Sequence, residues 1–332
     1  MVPTKMQAVI GERLGGPENY HLIEVDTPEP GPKDLQIEIQ VAGMGFVDAL
    51  VSRGLYQVKP DVPYCPGLEF AGVVSGVGEA VNDFQMGDPV TASGFGGGLA
   101  QYAVVPATTA VKLPRDFDMR VAAGFIVNYV TAWHGLVDRG ALKAGETVLV
   151  LGAAGGTGIA AIQVAKMVGA RVIAGASTEE KRAYALAHGS DEAIDYTVED
   201  WRKTLKELTA GKGVDVVFDP VGADLLEPAF RSLAWRGRYL VIGFAGGSIP
   251  ALPVNLALLK GSALIGVDYR QFGSVFESDE AIRMRDDLFA AVVDGRLVPP
   301  VGASFELADF AAAMSLAAAR EGQGKTIVTC QS

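Results

Sequence analysis

The sequence predicts an α/β protein in which a β-rich domain precedes a doubly wound parallel sheet. Three observations favour this fold class. Residues 1–120 consist of strand-like runs separated by turns that contain Gly and Pro. From Glu146 onward, short apolar strands alternate with amphipathic helices, which is typical of a parallel sheet covered by helices on both faces. The chain has 332 residues, of which 49% are hydrophobic, so two domains with buried cores are expected.

The composition argues against several classes of protein. The net charge of −11 disfavours a protein that binds nucleic acid through its phosphates, although it allows a local basic pocket. The two cysteines, Cys65 and Cys330, predict no disulfide framework and cannot form a four-cysteine zinc site. The N-terminal residues lack the apolar stretch of a signal peptide, and no segment approaches the ~18 apolar residues of a membrane span. We therefore expect a cytoplasmic protein without a membrane partner.

The β-rich domain is predicted from strand-like segments near the N-terminus. Residues 35–41 alternate apolar and polar side chains, as a half-buried strand does. The pattern continues in residues 70–78, 88–92 and 100–105.

The C-terminal tail is expected to return to this first domain. Helical sequence at 282–294 and 307–320 is followed there by a strand-like segment at 325–329. The expected boundaries are 1–122 with 270–332 for the β-rich domain, and 123–269 for the parallel sheet.

The second domain is predicted from a regular alternation of elements. Some of its candidate strands, such as residues 148–151 and 214–218, are nearly continuously apolar, as strands covered on both faces are. The six candidate strands lie at 147–152, 171–177, 192–196, 214–219, 238–243 and 263–268. Helices are predicted at 118–138 and near 156–169, 179–189, 199–210 and 223–235.

The sharpest motif is the glycine-rich turn after the first of these strands. Ala153, Gly155 and Gly158 have the spacing of the dinucleotide-binding (Rossmann) fingerprint, with alanine at the first position. Gly155 would let the backbone approach a pyrophosphate, and Gly158 would allow close contact between helix and strand. The helix N-terminus, which includes Gly156 and Thr157, would supply free N–H groups to the phosphates. The alternative is a purely structural glycine turn.

The residues at the end of the second strand indicate whether the cofactor is NADH or NADPH. An NAD enzyme places Asp or Glu there, against the ribose hydroxyls. The sequence AGAST offers no acid there. Ser177 can donate a hydrogen bond to a phosphate and Lys181 can neutralise it, which favours NADPH. The alternative is that Ser177 or Thr178 caps a helix whose dipole favours Glu179 and Glu180, while Lys181 is only solvated. Both interpretations can hold together.

Over essentially its whole length, the chain resembles the medium-chain dehydrogenase/reductase superfamily, and within it the zinc-free NADPH:quinone oxidoreductase group, the zeta-crystallin-like proteins. The matching segments are Met44–Asp48, Arg53–Tyr56, Pro66–Gly72, Tyr129–Trp133 and Gly322–Thr326. The resemblance implies a GroES-like β-rich domain and a Rossmann domain, with the active site in the cleft between them. It also implies a homodimer, in which the exposed edge strand 263–268 pairs with its copy.

The resemblance and the order of the strands suggest further site residues. Asn128 and Thr131 are expected at the nicotinamide, although a hydroxyl bonding to its own helical turn is the alternative for Thr131. Tyr196 is expected near the adenosine 2′-phosphate, with a strand-end aromatic residue as the alternative. Gly243 and Phe244 follow the fifth strand at the carboxyl edge, where ligands bind in such sheets. The remaining candidates are Lys325 for the cofactor, with a solvated lysine as the alternative, and Phe46, Tyr56 and Asn255 for the substrate.

A catalytic zinc ion is not expected. Alcohol dehydrogenases of the superfamily bind zinc with Cys and His, whereas the matching positions here are Gly43 or Met44 and Leu68. Glu69 alone does not make a zinc site, which needs about three protein ligands.

The predicted reaction is therefore hydride transfer from NADPH to a quinone or to the β-carbon of an enone, because these substrates are electrophilic without a metal. Gly45 stands where quinone oxidoreductases usually carry Asn, which leaves Tyr56 as the main polar candidate of its loop. Tyr56 would donate a proton to the reduced substrate. Alternatively, its ring would only form part of the pocket surface, and water would donate the proton. The alternatives are an enoyl-thioester (acyl-CoA) or alkenal double-bond reductase, and a non-catalytic NADPH-binding structural or RNA-binding protein.

Overall fold

The computed structural model describes residues 2–319 and 321–331 and divides the chain into two compact units. Unit 1 consists of Met1–Val127 with Pro299–Ser332, and unit 2 consists of Asn128–Val298. Arg320, the last residue of the helix predicted over 307–320, lies outside the described residues.

Most strands overlap the predicted segments, whereas those at Tyr20–Asp26, Ala110–Lys112 and Val301–Glu306 were not predicted individually. The strands up to residue 112 and those from residue 301 onward belong to unit 1, and the strands between them belong to unit 2. In chain order they are β1 (Lys5–Gly11), β2 (Tyr20–Asp26), β3 (Asp34–Met44), β4 (Glu69–Val77), β5 (Pro89–Ser93), β6 (Tyr102–Pro106), β7 (Ala110–Lys112), β8 (Thr147–Leu151), β9 (Arg171–Ala176), β10 (Glu192–Asp195), β11 (Val214–Asp219), β12 (Leu233–Val241), β13 (Ala263–Gly266), β14 (Val301–Glu306) and β15 (Lys325–Thr329).

The α-helices connect these strands and cover the parallel sheet. They are α1 (Phe46–Ser52), α2 (Met119–Ala122), α3 (Ile126–Trp133), α4 (Gly156–Val168), α5 (Glu179–Ala187), α6 (Trp201–Leu208), α7 (Leu226–Arg231), α8 (Asn255–Lys260), α9 (Tyr269–Gln271), α10 (Ser278–Val293) and α11 (Phe310–Ala319). Short 3-10 helices occur at Pro17–Asn19, Ala107–Thr109, Ala223–Leu225 and Leu307–Asp309, and π-helices at His134–Arg139 and Phe272–Phe276. Within the described ranges, every helix is too short or too polar to cross a membrane.

Unit 1 is built around β3, which pairs antiparallel with β4, β6 and β15. The strand order of this sheet is β14-β15-β3-β4-β5-β7, and β1 and β2 form a separate antiparallel pair. Leu35, Ile37 and Ile39 of β3 are fully buried, because the alternating pattern directs them into a core shared with Phe70 and Val90. The pairing of β15 with β3 confirms that the C-terminal tail completes the β-rich unit.

Unit 2 contains a parallel sheet in the order β10-β9-β8-β11-β12-β13. The chain starts in the middle at β8, builds outward to β10, and then returns to build outward from β11 to β13. This is the doubly wound order of a dinucleotide-binding domain, and the order reverses between β8 and β11. Leu149, Leu151 and Phe218 are fully buried. This burial agrees with the apolar sequence of their strands, which is typical of strands covered on both faces.

The predicted return to the first domain at residue 270 is too early. Residues 270–298 belong to unit 2, and the first crossing falls after Val127 rather than at 122. The segment stays with unit 2 because the ring of Phe272 stacks on His134 at 4.3 Å, and α10 buries Leu288. At its end, Gln163 Nε2 donates a hydrogen bond to Val298 O at 2.9 Å.

Two predicted helices are shorter than expected. The helix predicted over 118–138 is broken after α2, where the Thr91 hydroxyl donates to Ala122 O at 3.0 Å. The helix predicted over 223–235 ends with α7, and β12 begins at Leu233. Leu233 pairs with Val214 of β11 and is fully buried, so the last residues of the predicted helix belong to the sheet instead. Arg236, with a φ of 65°, lies further along β12, where the β11–β12 register shifts.

Candidate cofactor and active site

The glycine-rich turn after β8 exposes the N-terminus of α4. Gly155 is the N-cap, and no side chain of the described residues caps the helix, so its first N–H groups are available to an anion. A Cβ at Gly158 would stand 2.4 Å from Gly152 O and 2.8 Å from Ala153 Cα, so only glycine lets α4 lie this close to the end of β8. A Cβ at Gly155 would meet only Gly152 O, at 3.4 Å. The two glycines therefore have different structural surroundings.

Asn128 lies beside the same turn. Its side chain is 7% exposed, and its Oδ1 accepts a hydrogen bond from Thr157 Oγ1 at 3.0 Å. A Cβ at Gly156 would be 2.6 Å from Asn128 Nδ2, so this glycine makes room for the amide. Thr131 is half-buried one turn further along α3, and Asn255 is the exposed first residue of α8. The structure thus brings Asn128 to the glycine turn.

The residues predicted to bind the 2′-phosphate lie on the segments that follow the neighbouring strands β9 and β10. Thr178, rather than Ser177, is the N-cap of α5, and its Oγ1 accepts a hydrogen bond from Lys181 N at 3.3 Å. The Ser177 hydroxyl is therefore not needed as a helix cap. Tyr196 directly follows β10, and a Cβ at Gly175 would be 3.1 Å from its Cδ1, so the tyrosine ring covers the end of β9.

Arg182 is a basic residue in this corner that the sequence did not single out. Its Nη1 forms an ion pair with Asp195 Oδ2 at 2.8 Å and donates to Ala176 O at 3.4 Å. Because Ala176 and Asp195 are partners in the β9–β10 register, the ion pair joins the two strand ends. Hydrogen bonds from Thr197, with help from Arg182, hold the pKa of Asp195 below its usual range. A Lys-Arg dipeptide gives no sequence signal for such a pairing.

A buried carboxylate holds the loop after β11. Asp219 is 2% exposed and accepts hydrogen bonds from Val221 N at 2.7 Å, Gly222 N at 2.9 Å and Tyr239 Oη at 2.5 Å. Burial raises the pKa of Asp219, although the Tyr239 hydroxyl and the two N–H groups oppose the rise. This loop borders the point where the strand order reverses, which is where doubly wound sheets bind ligands. The sequence did not single out Asp219, because its donors follow it locally or lie on another strand.

Gly243 and Phe244 pack against the Asp219 loop. A Cβ at Gly222 would be 2.9 Å from Phe244 Cδ1 and 3.4 Å from Gly243 O. On the other side, a Cβ at Gly152 would be 2.9 Å from Val221 Cγ2. The loops after β8, β11 and β12 therefore contact one another at the carboxyl edge of the sheet.

The substrate candidates of unit 1 lie on and after α1. Phe46 is the half-buried first residue of α1, and Tyr56 is half-buried in the loop that follows it. The Tyr56 ring lies 6.4 Å from that of Phe95, measured between centroids, with a tilt of 42°. Phe95 is 42% exposed in the glycine-rich loop after β5. An isolated aromatic residue among glycines gave no sequence signal, so this pair was missed.

Unit 1 also contains a buried cluster of three ionisable side chains, Asp48, Glu69 and Lys325, which are 3%, 0% and 5% exposed. Lys325 Nζ forms an ion pair with Glu69 Oε1, and Glu69 Oε2 accepts a hydrogen bond from Val127 N at 3.0 Å. Burial raises the pKa of Asp48 to about 6, although Lys325 and two backbone N–H groups oppose the rise. The alternative of a solvated Lys325 is therefore wrong, and its ammonium is engaged inside the protein.

The donor side chains do not fit a catalytic zinc ion. Among residues 2–319 and 321–331, no group of three His, Cys, Asp or Glu side chains is arranged to hold a metal. Glu69 is engaged with Lys325, and the Cys65 thiol donates to Leu99 O at 3.5 Å. Burial raises the pKa of the Cys65 thiol to about 12, whereas zinc binds the thiolate.

Comparison with known proteins agrees with this architecture. The alcohol dehydrogenase GroES-like domain family matches residues 31–115, and the zinc-binding dehydrogenase family matches residues 156–284. Quinone oxidoreductase-like protein 2 of Rattus norvegicus is 35% identical over 92% of this chain and 88% of that protein. Quinone oxidoreductase of Pseudomonas aeruginosa is 34% identical over 95% of this chain and 96% of that protein. The crystal structure of Escherichia coli quinone oxidoreductase complexed with NADPH has a TM-score of 0.88 at 29% identity, and covers 97% of this chain and 99% of that chain.

The fold and these similarities define an oxidoreductase of the medium-chain dehydrogenase/reductase superfamily. Within that superfamily, the chain belongs to the quinone oxidoreductase family. The predicted family, the combination of a GroES-like with a Rossmann domain, and the enzyme class are therefore confirmed.

Proposed function

We propose that the protein reduces quinones or other conjugated carbonyl compounds with NADPH, by hydride transfer without zinc. The observation that carries the proposal is the uncapped N-terminus of α4 behind Gly155. A helix N-terminus binds pyrophosphate through its N–H groups and its dipole. The names of the relatives, quinone oxidoreductase and a complex with NADPH, support the same class of substrate and cofactor. When bound, NADPH supplies the hydride equivalent.

The proposed cofactor contacts follow the carboxyl edge of the sheet. The proposed contacts of the 2′-phosphate are Ser177, Lys181 and Tyr196, because these residues follow the ends of the neighbouring strands β9 and β10. Gly243 and Phe244 are proposed to contact the nicotinamide half, because the loop after β12 belongs to the second half of the sheet. Asn128 and Thr131 of α3 are proposed for the same half, because Asn128 lies at the glycine-rich turn. The pyrophosphate contacts are Ala153, Gly155, Gly156, Thr157 and Gly158.

The proposed catalytic residues are Tyr56 and Thr131. The Tyr56 hydroxyl donates the proton that the reduced substrate requires, or orients a water molecule that does so. Thr131 orients the carboxamide side of the nicotinamide by a hydrogen bond. Phe46 supplies apolar surface to a planar substrate and Asn255 supplies a polar contact. The pairing of Tyr56 with exposed Phe95 supports an aromatic surface on this side.

Turnover with three acceptors tests the proposal. We expect the purified protein to oxidise NADPH with an ortho-quinone and with a simple enone, and to act more slowly on crotonyl-CoA. A higher kcat/KM for crotonyl-CoA than for the other two would identify an enoyl-thioester reductase instead. NADPH binding without reduction of any acceptor would refute the enzymatic proposal and favour the non-catalytic alternative.

Zinc independence is tested separately. We expect protein dialysed against a chelator, and shown by elemental analysis to hold no zinc, to keep its full kcat, since the available donors do not fit the ion. Loss of activity that added zinc restores would contradict this part of the proposal.

We further propose a homodimer joined through β13, the edge strand of the parallel sheet. Over the described residues, β13 pairs only with β12. Its Leu264 is 49% exposed, and Val254 and Leu258 of the preceding segment are 83% and 81% exposed. Pairing with a second copy would complete the edge and cover apolar surface. Sedimentation velocity should show a dimer that L264E converts to a folded monomer, whereas a monomeric wild-type protein would refute the assembly.

The remaining parts of the proposal are a cytoplasmic location and no binding of nucleic acid. The net charge of −11 supports the second of these. Fractionation of cells that express the tagged protein tests the first, and a gel-shift assay with RNA at low salt tests the second. Enrichment in a membrane fraction or a retarded RNA band would contradict the corresponding part.

A further inference from the structure

The burial of three ionisable side chains inside unit 1 requires a physical explanation. Asp48, Glu69 and Lys325 are each at most 5% exposed. Removing carboxylates and an ammonium from water opposes folding, and well-packed apolar residues often stabilise a protein as well as a buried ion pair does. Stability alone therefore explains this cluster poorly, and the groups that it touches indicate another role.

The Lys325 side chain lies in a passage lined by three glycines. A Cβ at Gly124 would be 3.0 Å from Lys325 Cβ, and one at Gly43 would be 2.8 Å from Lys325 Cε. A Cβ at Gly45 would be 3.3 Å from Lys325 Nζ and 3.7 Å from Asp48 Oδ2. These three glycines therefore leave room for the lysine from its Cβ to its ammonium, which forms the ion pair with Glu69 and acts electrostatically on Asp48.

The two carboxylates accept hydrogen bonds from backbone N–H groups next to candidate site residues. Asp48 accepts hydrogen bonds from Gly45 N and Leu68 N, both at 2.8 Å. Gly45 is the N-cap of α1 and immediately precedes Phe46. Glu69 accepts the hydrogen bond from Val127 N, in the first turn of α3. The next residue is Asn128, and the same helix carries Thr131.

We propose that Asp48, Glu69 and Lys325 are positioning residues, which fix the start of α1 and the first turn of α3 for turnover. Lys325 acts through Glu69 rather than by binding the cofactor, the role expected for it from the sequence. This inference rests on the proposed function, since Phe46 directly follows Gly45 and Asn128 directly follows Val127 in the chain.

Three variants separate positioning from stability. Lys325→Met removes the ammonium but keeps an unbranched stem, and Glu69→Gln keeps an oxygen that can accept the hydrogen bond from Val127 N. Each single variant leaves a buried charge without its main partner, so its Tm falls. The double variant removes both charges, and its Tm recovers toward that of the wild type.

We expect kcat with an ortho-quinone to fall about 100-fold in both single variants and to stay low in the double variant, because small displacements of reacting groups have effects of this size. The dissociation constants of NADPH and NADH should stay near their wild-type values. Lys112→Met is the matched control, because it breaks a lysine–carboxylate pair of 2.8 Å with Asp88 in the same unit, with Lys112 about half-exposed. Its kcat should equal that of the wild type.

Hydrogen exchange supplies a readout that does not depend on the substrate. We expect the amides of Gly45, Leu68 and Val127 to exchange faster in the double variant than in the wild type. Wild-type exchange at these amides, or wild-type kcat in the double variant, would overturn the positioning role. A selective loss of NADPH affinity over NADH affinity in Lys325→Met would show direct phosphate binding instead. If the wild type reduces no acceptor, the proposed function fails, while the exchange experiment still decides the role of the cluster.

Discussion

Alanine substitutions at Gly158 and Gly155 test two different roles of the glycine-rich turn. Gly158→Ala tests the packing of α4 against the end of β8, and Gly155→Ala tests the approach of the pyrophosphate to the backbone. At Gly158 the new Cβ would be 2.4 Å from Gly152 O, about 1 Å closer than ordinary contact, and the neighbouring atoms are backbone. Overpacking of this kind costs about 1–3 kcal/mol, which corresponds to a Tm lower by about 2–12 °C. At Gly155 the nearest atom would be 3.4 Å away and φ is −73°, so Gly155→Ala should leave the Tm of the free protein unchanged.

The binding of NADPH should show the complementary pattern for Gly155. If the backbone approaches the pyrophosphate there, the methyl group weakens NADPH binding about tenfold or more, by the same overpacking energy. Scanning calorimetry measures the Tm of each free protein, and titration followed by NADPH fluorescence measures the dissociation constants. Unchanged stability in Gly158→Ala would refute the packing argument. Unchanged NADPH affinity in Gly155→Ala would refute the placement of the pyrophosphate.

Three other predictions concern polar groups. Ser177→Ala with Lys181→Ala should raise the KM for NADPH by about 10–100-fold through lost charge-assisted hydrogen bonds, and should change the KM for NADH little; equal effects in steady-state kinetics would sink the NADPH assignment. Tyr239→Phe removes one donor to buried Asp219 and should lower the free energy of unfolding by about 1–3 kcal/mol in urea titrations, so a neutral result would show that the short hydrogen bond contributes nothing. The pKa of Asp48, about 6 in the folded protein, lies above its value of 3.8 as a free side chain, so the folded state holds the extra proton between these pH values. The ionised Asp48 should therefore destabilise the protein by about 3 kcal/mol above pH 6, and this cost should disappear as the pH falls toward 4. Asp48→Asn should flatten the dependence of the free energy of unfolding on pH in that window, as measured by urea titration, and an unchanged dependence would contradict the raised pKa.

The features that the sequence predicted well are local in the chain. β8 and β11 were recognisable from their nearly continuous apolar runs, and the alternation in β3 marked its buried side chains. The spacing of Gly155 and Gly158 predicted both the open N-terminus of α4 and its close approach to β8. In each case the pattern and its physical cause lie within a few residues of each other.

The features that the sequence missed join distant residues. Glu69 and Lys325 are separated by 256 positions, and neither has a neighbour in sequence that indicates the ion pair. The return to unit 1 was placed too early because a helical segment carries no sign of which core it covers, whereas Phe272 and Leu288 pack in unit 2. Tertiary packing decides such features, so single-sequence patterns do not contain them.

We propose that NADPH bound at the open N-terminus of α4 delivers a hydride to an ortho-quinone. The most direct test is the rate of ortho-quinone reduction by the chelator-treated protein with NADPH and with NADPH deuterated at C4, in single-turnover stopped-flow experiments. We predict saturable reduction that deuteration slows and that Gly155→Ala weakens through cofactor affinity. Equal rates with both forms when chemistry is rate-limiting, or NADPH binding with no reduction, would contradict the claim.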